Sequence, residues 1–173
     1  GWMWNESSVP SLTNCACTGN SARDDGGGIW NYYNSNAILF NCTFSGNLAN
    51  DSGGGIYNAE SAPRLTNCTF SGNWADDYGG GIFNKGNITL TNCTLIRNIA
   101  LSAGGGICNG IGRATITNSI LWDNLLDQTF GLTMATYSDI QGSYTGEGNI
   151  NADPLFVDIA SGDYHLKSQG GRW

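Results

Sequence analysis

The sequence predicts an all-β, right-handed, single-stranded parallel β-helix, and three periodic features predict it. A glycine triplet recurs at Gly26, Gly53, Gly79 and Gly104, in steps of 27, 26 and 25 residues, each triplet followed by isoleucine (Ile29, Ile56, Ile82, Ile107). Asparagine keeps the same beat in three columns: Asn14, Asn41, Asn67, Asn92 and Asn118; Asn20, Asn47, Asn73, Asn98 and Asn124; and Asn31, Asn58, Asn84 and Asn109. Between these markers lie short alternating apolar runs and no heptads. A fixed period in the twenties is the mark of a solenoid whose coils stack on one another.

Each coil of 25–27 residues divides into three short strands. In Ile88-Thr89-Leu90-Thr91 the apolar residues alternate with threonine, the period of a half-buried strand. The phase then slips by one, so Cys93 and Leu95 face inward only if the chain bends at Asn92. A polar turn follows Asn98, and Gly104 to Ile107 opens a third strand whose glycines permit sharp turning or close packing. Parallel crossovers are almost always right-handed, which sets the expected hand. Asparagines stacked one strand spacing apart can bond amide to amide, giving ladders that hold the register. Ala22, Ala49, Ala75 and Ala100 make a further inward column.

The regular coils span residues 1–124. From about Leu125 the repeat decays, and 125–173 is expected to form irregular C-terminal coils of the same domain, with strands around Tyr137, Phe156 and Tyr164. The chain opens inside a repeat, Gly1-Trp2-Met3-Trp4-Asn5 aligning with Gly27-Gly28-Ile29-Trp30-Asn31, and stops at Gly170-Gly171-Arg172-Trp173 without an obvious cap. It reads as a piece of a longer product, with further coils or another copy stacking head to tail on its open end.

The net charge of −7, with seven Lys and Arg spread singly, argues against nucleic acid as a partner. No apolar run is long enough for a membrane-spanning helix. Of the six cysteines, Cys15, Cys42, Cys68 and Cys93 occupy one column that continues as Ser119, so they read as small buried thiols rather than bridges.

The units Leu39 to Asn58 and Leu65 to Asn84 resemble the parallel β-helix repeats of large bacterial surface and secreted proteins, including the polymorphic outer membrane protein type with its GGAI-like and FxxN-like motifs. The tail from Tyr137 through Asp153-Pro154-Leu155-Phe156 to Tyr164-His165-Leu166 resembles the C-terminal coils of such proteins. The resemblance implies an extracellular location and a fold shared by adhesins, passenger domains, polysaccharide lyases and hydrolases.

Two columns are candidate functional surfaces. Trp4, Trp30, Tyr57 and Phe83 follow inward residues, so alternation points them outward, where rings can stack on sugars or on one another. Asp24, Asp51 and Asp77, flanked by Asp25, Asn50 and Asp76, repeat in the turn before the glycines and could share Ca²⁺ through oxygen ligands; a solvated acidic turn is the simpler reading. Six Asn-X-Ser/Thr sequons occur, and Asn50 and Asn87, placed in turns, are the accessible candidates for glycosylation. His165, the single histidine, has no nucleophile nearby in sequence and reads as structural. The expectation is a non-catalytic structural or adhesive rod in contact with glycans; the alternative is a polysaccharide lyase or hydrolase centred on Asp24, Asp51 and Asp77.

Overall fold

The computed structural model describes residues 1–167, so the stop at Gly170 to Trp173 lies outside the described residues. Every strand pairing between coils is parallel, and the markers seen in the sequence stack in register: Ile29 on Ile56, Ile82 on Ile107, Leu65 on Leu90, Phe70 on Leu95. One coil runs through Ile56–Ala59 on sheet I, Arg64–Thr66 on sheet II and Thr69–Ser71 on sheet III. It then adds a two-residue strand, Trp74–Ala75, on a fourth face, which the three-strand expectation had left inside a turn. Sheets I to III hold six strands each and sheet IV four.

The corners follow from backbone conformation. Asn14, Asn41, Asn67, Asn92 and Asn118 all adopt positive φ between 50° and 55°, the left-handed region that asparagine tolerates better than most residues. Just inside each corner the small polar side chain caps it. Cys42, Cys68 and Cys93 donate from Sγ to the carbonyls of Phe40, Thr66 and Thr91 at 3.4 Å. Ser119 and Ser138 continue the column, donating to Thr117 and Thr136 at 2.9 Å. All six cysteines are free thiols.

Two of the three asparagine columns form buried ladders. Asn20, Asn47, Asn73, Asn98 and Asn124 bond amide to amide at 2.8–3.0 Å, and Gln128 closes the end. The column from Asn5 to Asn109 does the same and ends on Thr133, with one rung open between Asn31 and Asn58. The corner column is different from the ladder expected there. Its amides are exposed to water, and among them only Asn41 to Asn14 makes a side-chain bond.

A smaller cluster of Tyr57, Ala59, Phe83 and Cys108 lies on sheet I, and the main core is a cluster along the axis, with Phe44 and Phe70 stacked at 4.7 Å and 5°. The glycine triplets bring sheet I against it: a Cβ on Gly55 would stand 2.5 Å from the Gly81 carbonyl and 2.9 Å from Phe70 Cδ1. Sheets I and III are therefore back to back. The tail departs from the coil pattern. Thr133–Thr136 and Asp139–Ile140 extend sheets II and III, but Phe156–Asp158 and Asp163–Leu166 pair antiparallel with each other. Their hairpin folds back over the outer face of sheet III.

Candidate functional site

The outer face of sheet I carries Trp4, Trp30, Tyr57 and Phe83 in one register, continued by Cys108 and Phe130. The ring column is real, but the expectation that it is displayed holds at one end only. Trp4 is 66% exposed and Trp30 half-buried, whereas Tyr57 and Phe83 are 7% and 6% exposed. The cause is the turn before each glycine triplet. Its first glycine takes positive φ and brings the turn over the strand, so that Tyr78 stacks on Phe83 at 5.9 Å. From the other side Lys85 Nζ lies 5.1 Å from the Phe83 ring and 5.5 Å from that of Tyr57. Trp4 and Trp30 remain as an offset stack, 5.6 Å apart and 17° from parallel.

The acidic turns border this strip. Asp24, Asp51 and Asp77 do stack, each main-chain N–H reaching the carbonyl of the coil before it: Asp51 to Asp24 at 3.1 Å, Asp77 to Asp51 at 2.9 Å. Their side chains are exposed, and among the described residues no three His, Cys, Asp or Glu side chains gather in a way that could hold a metal ion. Asp25 is set apart from them. It is half-buried beside Trp4 and Trp30, accepts the Ser52 N–H at 3.1 Å, and burial, with Asp51 adding to it, pushes its carboxyl up to about 6. Tyr57 Oη and Lys85 Nζ meet at 3.1 Å, a contact that raises the lysine, with the charges of Asp25 and Asp51 acting in the same direction.

The structure thus gathers Asp25, Asp51, Tyr57 and Lys85 along one flank, next to the Trp4–Trp30 stack. Asp24 and Asp77 share the stack of turns without entering this group. Lys85 was missed in the sequence; its signal was a break in period, since its column otherwise holds Glu6, Tyr32 and Ala59. Asn50 and Asn87 are both exposed, but only Asn50 lies in a bend, whereas Asn87, expected in a turn, opens the strand Asn87–Thr91; of the other sequon asparagines, Asn67 and Asn92 are exposed at corners, and Asn5 is buried and bonded to Asn31.

A family model described as a right-handed β-helix region matches residues 2–121. The chain belongs to this right-handed β-helix family. A second model, described as disaggregatase related, matches residues 85–173, from Lys85 through the decaying coils and the hairpin. Comparison with curated proteins and with solved structures finds no match. No helix among the described residues is long and apolar enough to cross a membrane.

Proposed function

We propose that this right-handed β-helix is part of an extracellular surface or secreted protein of the bacterial repeat type, and that it contacts glycan chains along the flank of sheet I. The observation that carries the reading is the Trp4–Trp30 stack, exposed at Trp4 and half-buried at Trp30, beside the half-buried Asp25. Flat indole faces take the apolar faces of sugar rings, and an adjacent carboxyl and ammonium take their hydroxyls. The rod itself, held by ladders rather than by a hinge, supplies a rigid platform. Its first strands are paired on one side only, which suits further coils or a second copy stacking end to end. Sedimentation over a range of concentrations tests that stacking. Affinity electrophoresis through gels cast with neutral or uronate polysaccharides tests the glycan reading: retardation that Trp4→Ala and Trp30→Ala remove supports it, and unretarded migration in every gel contradicts it.

A second reading, depolymerisation of a polysaccharide, is favoured by one further observation. Asp25 keeps its proton to about pH 6 while Tyr57 and Lys85 pair within range of its charge. Above that pH an ionised Asp25 can act as base, while Lys85, held as the ammonium by its contact with Tyr57, can donate a proton, and a base and an acid on one flank are what glycosidic cleavage needs. The match to a model described as disaggregatase related is compatible with an enzymatic role. New reducing ends or unsaturated products, abolished by Asp25→Asn and Lys85→Met, would establish it; intact polymer after prolonged incubation leaves contact without cleavage.

A further inference from the structure

The flank of sheet I does not account for the other side of the rod. There the hairpin stands off the outer face of sheet III and leaves a cleft of about 570 Å³ between them. The floor of the cleft is a patch of hydroxyls from three successive coils: Thr43 and Ser45, Thr69 and Ser71, and Thr94. Ser45 Oγ reaches Thr18 at 3.4 Å, but the other four hydroxyls make no hydrogen bond among the described residues. The overhanging wall is the hairpin turn, residues 159–162, with Tyr164 and His165.

His165 is held in one orientation. Asp163 accepts the His165 main-chain N–H at 3.0 Å and faces ring Nδ1 at 2.6 Å. These bonds, the main-chain one first, keep the Asp163 carboxyl below the usual carboxylate range, so it stays ionised and favours the tautomer with the proton on Nδ1. Nε2 is then free, on an imidazole side chain 91% exposed to solvent.

We propose that this cleft is a binding site for a neutral saccharide chain lying across the coils, with the free hydroxyls of Thr69, Ser71 and Thr94 and Nε2 of His165 as its hydrogen-bonding groups. Hydroxyls that pair neither with each other nor with the backbone can exchange their water for a ligand without breaking a bond within the protein. Rungs about 4.8 Å apart present them at intervals along a polymer. Among the described residues the lining includes no Lys or Arg, and the chain carries a net charge of −7, which turns the site away from polyanions. The wall and floor come from segments more than 60 residues apart in the chain, so the site exists only when the hairpin is folded back.

Because His165 is the single histidine, its imidazole resonance reports on this cleft alone. Titration of the intact chain with cellohexaose, mannohexaose and chitohexaose, followed by that resonance, is expected to shift it with at least one of them. Thr69→Val with Thr94→Val, isosteric changes on strands, should weaken that binding by at least about fivefold; if the double variant loses its spectral dispersion, Thr94→Val alone serves. Trp30→Ala should leave the shift unchanged, which separates this site from the flank of sheet I. No shift with any of the three, an equal shift with oligogalacturonate, or undiminished affinity in the valine variants overturns the proposal.

Discussion

Asn31 and Asn58 lie side by side on sheet I, and the Nδ2 of the first and the Oδ1 of the second are both buried without a partner. They are the two halves of the one open rung in an otherwise continuous ladder. The ring column changes at the same step, from the Trp4–Trp30 stack at 17° to the edge-on Trp30–Tyr57 pair at 88°.

That break sets an order of stabilities. Asn73 accepts from the Asn47 main chain at 3.0 Å and side chain at 2.9 Å, and donates to Phe44 and Asn98 at 3.0 and 2.8 Å. Asn73→Ala strands several buried groups and should cost about 3 kcal/mol, whereas Asn31→Ala, which loses one accepted bond, should cost about 1 kcal/mol. Urea unfolding of the two variants checks the order.

The cysteine column makes a second prediction. Cys68→Ser should fold with nearly unchanged stability, because Ser119 and Ser138 already cap equivalent corners, while Cys68→Val loses the bond to Thr66. Burial also raises the Cys17 and Cys108 thiols to about 11. A thiol reagent should therefore modify Cys17 and Cys108 only after denaturation.

Gly55→Ala tests the close approach of sheets I and III. Its Cβ meets backbone on one side and a ring carbon of Phe70 on the other, so neither neighbour can withdraw cheaply. A loss of about 2 kcal/mol or more is expected, far above the change from Gly to Ala in open space.

The pH dependence of stability carries the signature of Asp25. Its folded carboxyl takes up a proton near pH 6, against 3.8 for the ordinary value. Between those values the folded state binds more protons than the unfolded one, so stability falls as pH rises from about 4 to about 6 and stays lowered above. Partial exposure moderates the effect. Asp25→Asn, which keeps the Ser52 contact, should flatten that slope and raise the urea midpoint at pH 7.5.

The coil, its register and its inward columns were legible because stacking turns every repeat into a spatial row; the Gly-Gly-Ile and Asn-Cys positions are read once and apply to each coil. The fourth face escaped because Trp74–Ala75 is two residues long, too short for alternation to show. The burial of Tyr57 and Phe83 escaped for another reason. Alternation gives the side a ring faces, not what lies over it, and here Tyr78 and Lys85 come from the turn and the far strand end. The hairpin at Phe156 and Tyr164 is not legible as one, because its strands have the same apolar content as those of a coil. Only the pairing of Phe156 with Leu166 distinguishes them.

Glycan contact along the flank of sheet I turns on the exposed end of the ring column. The indole N–H resonances of Trp4 and Trp30, assigned by substitution, measure it directly during titration with the polysaccharide fragment retained in electrophoresis. Saturable shifts of these two, with Trp74 on sheet IV unmoved, are the predicted result. Binding that shifts Trp74 and leaves Trp4 and Trp30 in place would contradict it.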